Sequence, residues 1–119
     1  VEVLISEDTF AKASGLAFLE LDLLQVVGKT EPVRIFTLVG DESVARTASF
    51  KKAQALQLAM LDAYRARNWD QALQFIDQLR ESGPESVQGY LSIFGERIRE
   101  FQANPPGPDW DGVERRLTK

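Results

Sequence analysis

The 119-residue chain contains no cysteine and no histidine. Without cysteine there is no disulfide framework, no thiolate nucleophile and no Cys-based zinc or iron–sulfur site. Without histidine the commonest general base, proton shuttle and metal ligand is missing as well, so most catalytic arrangements lose their usual side chains. Five prolines and eight glycines are too few for a low-complexity chain. No apolar run approaches the ~20 residues that a membrane-spanning helix needs, so no membrane contact is expected of this chain. Basic residues are also outnumbered. Fourteen face eighteen acidic ones, leaving a net charge of −4 and a pI near 4.8. Such a surface repels a phosphate backbone, and nucleic acid is not an expected partner.

What is present suits one domain or one compact piece of a larger chain. Hydrophobic residues make up 44% and charged residues 27%, both ordinary for a globular protein. The start, Val1-Glu2-Val3-Leu4-Ile5, has no initiator methionine, no basic leader and no signal-peptide core. It reads as the interior of a strand, and the expectation is a piece of a longer protein.

Charge and periodicity divide the chain near Asp41. Residues 1–43 carry eight acidic and three basic side chains, a net −5; residues 44–119 carry ten and eleven, a net +1. The predicted fold class is α+β, a short N-terminal strand–helix–hairpin segment followed by a three-helix tail with an extended proline-rich C-terminus. Val1 to Ile5 predicts a strand, Ser6 a cap for a short helix, and Gly15 its stop. Leu19, Leu21 and Leu23 alternate with Glu20 and Asp22. After a turn at Gly28-Lys29-Thr30-Glu31-Pro32, Val33, Ile35 and Thr37 alternate with Arg34, Phe36 and Leu38, so the pair predicts a hairpin with one face buried.

Thr47 or Ser49 is positioned to cap a helix over about Phe50 to Arg67, with Leu56, Ala59 or Met60, Ala63 and Tyr64 on its apolar stripe. Asn68 followed three residues later by Gln71 has the pattern of a capping box for a second helix, with Ala72, Leu73, Ile76 and Leu79 inward and Ser82-Gly83-Pro84 as its end. A third helix over about Glu85 to Gln102 places Tyr90, Phe94, Ile98 and Phe101 on one face. Asn104-Pro105-Pro106-Gly107-Pro108 predicts a polyproline-like tail.

Few side chains suggest chemistry. Lys29 beside Gly28 on a hairpin tip offers a cation and an open backbone to a phosphate, although the rest of a P-loop is missing and a solvated turn lysine has the same appearance. Asp109-x-Asp111-Gly112 resembles the opening of a calcium loop, but the later ligands are absent. Asp77, Glu96 and Glu100 fall where helices show their wet faces. Trp69, at a helix–helix corner, and Trp110, in the proline-rich tail, are candidate anchors, either within the chain or for a partner. Counted from Trp69, Ala72, Ile76, Leu79 and Pro84 follow at three, seven, ten and fifteen residues, as in the second half of a tetratricopeptide repeat. Met60 and Arg67 stand where that repeat usually has small residues or glycine, and no second copy follows. One such hairpin has to lean on the third helix, the strands or a partner.

Val3-Leu4-Ile5-Ser6-Glu7-Asp8-Thr9, with Leu21-Asp22-Leu23-Leu24-Gln25-Val26-Val27-Gly28-Lys29-Thr30-Glu31-Pro32-Val33-Arg34-Ile35-Phe36 after it, resembles the closing strand–helix–hairpin segment of class III adenylate/guanylate cyclase catalytic domains. Tyr64-Arg65-Ala66-Arg67-Asn68-Trp69-Asp70-Gln71-Ala72, Asn104-Pro105-Pro106 and Asp109-Trp110-Asp111-Gly112-Val113 resemble the helical tail of bacterial members with an extracytoplasmic sensor. The resemblance implies two parts, residues 1–43 as the C-terminal segment of a cyclase catalytic domain and residues 44–119 as a tetratricopeptide-like tail.

It further implies a parent that makes cyclic AMP or cyclic GMP from ATP or GTP in bacterial signal transduction, using two divalent ions, Mg or Mn. The metal ligands and the asparagine–arginine pair of the family fall upstream of Val1. No cofactor and no catalytic or metal-binding residue is therefore expected in this chain, which alone should be silent. Its partners would be the upstream catalytic domain and a second copy in a homodimer. Its location would be cytoplasmic, on a parent anchored in the bacterial inner membrane by upstream helices. Of the family's two hairpin lysines only the second, Lys29, is matched; Val27 stands at the position that reaches the triphosphate. The alternative is a free-standing helical protein–protein interaction module with a groove gated by Trp110. Unpaired strand edges predict self-association in either case.

Overall fold

The computed structural model describes residues 4–6, 15–25 and 32–115, with 4–6 and 115 as backbone alone. The short helix expected between Ser6 and Gly15 and the turn at 28–31 lie outside the described residues. The order of elements is β1 (Leu4–Ser6), β2 (Ala17–Gln25), β3 (Val33–Gly40), α1 (Glu42–Ala45), α2 (Ala48–Arg65), α3 (Trp69–Ser82), α4 (Glu85–Ala103) and β4 (Glu114–Arg115). This is an α+β fold. The strands form one sheet in the order β1-β3-β2-β4.

The expected hairpin is formed by β2 and β3, antiparallel, with Leu19 opposite Thr37 and Leu23 opposite Arg34. Its burial differs from the prediction of one apolar face. Ala17, Phe18 and Leu19 are buried in succession, and so are Leu21 and Asp22. The register explains part of this: it slips between Glu20 and Asp22, leaving Leu21 unopposed, and a bulge of this kind breaks the two-residue alternation. The rest comes from the central position of β2. Helices pack on Leu19 and Leu21, and β4 closes its free edge in parallel through Leu24 with Glu114 and Gln25 with Arg115. Strand β4 comes from the far end of the chain, so the sheet is built from both charge halves.

Directly after β3 the chain enters the four-residue α1. Its cap is Asp41, whose Oδ1 accepts from the backbone N–H of Ser43 at 2.9 Å and of Val44 at 3.2 Å. These bonds, led by that from the Ser43 hydroxyl, lower the Asp41 pKa below its ordinary value. Thr47 caps α2 by accepting from the N–H of Phe50 at 3.1 Å. Inward from α2 come Phe50, Ala53, Met60, Leu61, Ala63 and Tyr64; from α3, Ala72, Ile76 and Leu79; from α4, Val87, Tyr90, Leu91, Phe94 and Ile98. Phe101, also expected on this stripe, is only partly buried.

The capping box at Asn68 does not form, for Asn68 makes no side-chain cap bond. Its backbone is already committed to ending the preceding helix. The N–H of Asn68 donates to Ala63 O at 2.8 Å and that of Arg67 to Tyr64 O at 3.1 Å. This six-to-one and five-to-two pair is a Schellman turn, with Arg67 at φ 66° in the left-handed position that glycine usually fills.

Candidate functional site

Strand β2 carries Glu20 and Asp22 into the seam between sheet and helices. A carboxylate withdrawn from water is tolerated only when paired and hydrogen-bonded, and the partly buried Glu20 and the buried Asp22 both are. Glu20 Oε2 accepts from Arg34 Nη1 on β3 and from Arg65 Nη2 at the end of α2, each at 2.9 Å. Asp22, 1% exposed, accepts at Oδ2 from the Tyr90 hydroxyl at 2.8 Å and from Arg97 Nη1 at 3.0 Å, both on α4. Its Oδ1 accepts from the Leu23 N–H at 2.9 Å.

Arg97 extends the network. Its Nε lies 3.6 Å from Glu114 Oε1 on β4, and its guanidinium stands over the rings of Phe94 at 4.7 Å and Tyr64 at 6.0 Å. Burial disfavours this cation, but Asp22, then Tyr64 and Glu114, hold its pKa above the ordinary arginine value, so it stays charged. Burial also pushes the Tyr64 hydroxyl up to about 12, against the pull of the Arg97 charge. Tyr64 is therefore protonated at neutral pH. Glu20 and Asp22 are paired with guanidinium groups, an arrangement that fixes β2 to β3, α2 and α4.

A second cluster adjoins the first. Trp69 stacks on Phe101, with ring centroids 5.2 Å apart and planes at 26°. Trp110 meets Tyr64 at 5.3 Å, Phe101 at 5.2 Å and Trp69 at 5.7 Å. Arg67 closes the arrangement from the helix turn: Nη1 donates to Pro106 O at 2.9 Å, Nη2 to Gly107 O, and the guanidinium lies 5.4 Å from the Trp110 ring. The segment from Asn104 to Val113 is thus a strap across the helix ends, leading into β4. Beside it a depression of about 580 Å³ is lined by Arg67, Trp69, Asp70, Phe101, Gln102 and Pro105.

Of the residues singled out from sequence, Trp69 and Trp110 come together, and Trp110 rests on rings of its own chain. Lys29, with Gly28 and Val27, lies outside the described residues. Asp77, Glu96 and Glu100 are exposed, and Glu100 Oε1 accepts from Asn104 Nδ2 at 2.9 Å. Asp111 Oδ1 accepts from the Val113 N–H at 3.2 Å, a turn bond within the strap. Gly112 serves that turn: it has φ 81°, and a Cβ there would sit 2.9 Å from Arg65 Cγ. Among the described residues no group of three or more acidic side chains converges as metal ligands.

Sequence reasoning passed over Glu20, Asp22, Arg65 and Arg97. The available signal was Leu19-Glu20-Leu21-Asp22-Leu23-Leu24, two carboxylates in a strand otherwise apolar enough to be buried on both faces, which demands cations from elsewhere. Set against protein-family models, curated proteins and solved structures, the chain matches none.

Proposed function

We propose that this chain is the C-terminal part of a bacterial class III nucleotidyl cyclase and acts there as a brace, itself catalytically silent. In this reading α2 and α3 are a tetratricopeptide-like hairpin that, with α4 and the proline-rich strap, grips the last strands of the catalytic domain. The observation that carries the bracing role is the Asp22–Arg97–Glu114 chain, which ties β2 to α4 and to the strap's own strand. The catalytic assignment rests on the Gly28-Lys29-Thr30-Glu31-Pro32-Val33 run between β2 and β3, and on the order of the motifs after it. The parent belongs in the cytoplasm on an inner-membrane anchor, as a homodimer.

The test is cyclic nucleotide formation from ATP and from GTP with Mg or Mn. The full product of the gene is expected to form it, and the 119-residue chain alone none above background. Product from the chain alone defeats the claim of silence, and a reading frame that starts near Val1 defeats the cyclase assignment. The latter outcome favours the second reading, a free-standing interaction module, for which the depression beside Trp69 and Phe101 is the supporting observation.

A further inference from the structure

The strap shows what the corner between α2, α3 and α4 grips. Arg67 donates to the carbonyls of Pro106 and Gly107, and Trp110 rests on Tyr64, Trp69 and Phe101, so a proline-rich segment is held by donors and by rings. Such a segment calls for both, because proline keeps its carbonyl but has no N–H to offer. The depression of about 580 Å³ beside the strap repeats this pairing and falls within the ~300–1,000 Å³ usual for ligand clefts. Trp69 and Phe101, stacked on each other and only partly buried, line it together with Pro105 of the strap. The side-chain amides of Asn68 and Gln71 are exposed on the same wall, and that of Asn68 makes no capping bond. The depression therefore continues the surface that already holds the strap.

Charge narrows the occupant further. The ionic side chains of the lining are Arg67 and Asp70. Arg67 is committed to the strap through both terminal nitrogens, and its guanidinium lies 5.4 Å from the Trp110 ring. Asp70 is exposed, its Oδ1 accepts from Gln102 Nε2 at 3.0 Å, and no cation pairs with it among the described residues. The depression thus offers a carboxylate whose charge is unspent, on a chain that carries a net −4. A basic occupant is complementary to it.

We infer that the depression binds a basic, proline-rich segment of another protein, its proline rings against Trp69 and Phe101, its carbonyls accepting from the Asn68 and Gln71 amides, and an arginine facing Asp70. The inference rests on the reading of this depression as an interaction surface and names the partner; it does not need the cyclase assignment, which cyclic nucleotide formation tests separately. The probes are the blocked peptides Pro-Pro-Pro-Arg-Pro-Pro, its glutamate counterpart and Gly-Ser-Gly-Arg-Gly-Ser, each titrated into the isotope-labelled 119-residue chain and followed by NMR. The arginine–proline peptide is expected to give saturable shifts at the Trp69 indole and the Gln71 amide, with intermolecular NOEs to Trp69 and Phe101, while the NOEs between Trp110 and Tyr64 persist. It should bind several-fold tighter than the glutamate peptide, and Asp70→Asn, which keeps an acceptor for Gln102, should shrink that preference by up to about fivefold, the scale of one exposed ion pair. No shift at these residues with any peptide overturns both the inference and the interaction surface beneath it. Equal or tighter binding of the glycine–serine peptide at the same rings leaves the surface and overturns its proline-rich partner. Loss of the NOEs between Trp110 and Tyr64 on titration would put the peptide in the strap's seat and overturn the depression as its site. Equal affinity for the two proline peptides, or an unchanged preference in a folded Asp70→Asn, overturns the role of the carboxylate.

Discussion

Arg67 holds a backbone conformation that glycine adopts without strain, and its side chain explains why glycine is not there. The left-handed position costs a residue with a Cβ roughly 1–2 kcal/mol, whereas the guanidinium bonds to Pro106 and Gly107 and covers Trp110. Two effects of opposite sign are thus separable. Arg67→Gly and Arg67→Ala both lose the clamp, but only the first relieves the backbone, so the glycine variant should be about 1 kcal/mol more stable than the alanine variant in urea unfolding. Equal stabilities would show that the turn carries no strain. At Asp22 the decisive quantity is the penalty for an unpaired buried charge. Arg97→Met should cost about 3–5 kcal/mol, and adding Asp22→Leu should recover much of that loss. Recovery absent from the double variant would mean that the pair is incidental. Tyr64 supplies a pH signature. Its raised pKa means that the native state keeps a proton the unfolded chain releases, so this contribution is intact below pH 10 and disappears towards pH 12. Urea midpoints should fall across that window, and fall less in Tyr64→Phe.

Among the elements, the helices and the hairpin were legible because period and punctuation agree. Thr47 caps α2, Gly83 and Pro84 separate α3 from α4, and the buried stripes of α3 and α4 follow the sequence spacing. What was not legible came from partners distant in sequence. Nothing local to Leu21 marks a bulge, and a two-residue strand at Glu114 has no period at all; it exists because the strap delivers it to the open edge of β2. The capping box failed because one residue cannot close two helices at once, and Asn68 is held by the turn before it. The aromatic anchors were visible from sequence only as alternatives. The strap gives them a location, and its removal is testable. Trp110→Ala should destabilise the chain by roughly 2–4 kcal/mol, less than a fully buried tryptophan would lose. The same change should speed amide exchange at Val113 and at the β2–β4 pairing. Fast exchange confined to the strap, with β2 untouched, would separate anchor from strand.

For the molecule as a whole, the charge division read from sequence becomes an attachment. The acidic residues of the strand half, Glu20 and Asp22, meet Arg65 and Arg97 of the helical half, and β4 returns to pair with β2. Residues 1–43 and 44–119 differ in charge and period, but they share a sheet and a core that runs from Leu19 and Leu21 to Ile76 and Ile98. At the centre of the polar seam Asp22 and Arg97 are almost wholly enclosed, so breaking their pair should loosen both halves together. Helices and strands should therefore unfold as one cooperative unit. Native-state hydrogen exchange across a urea series tests that most directly. Amides of β2 near Leu21 and of α4 near Phe94 should open with the same free energy and the same urea dependence, matching global unfolding. Opening of β2 at markedly lower free energy, while α4 remains protected, would contradict it.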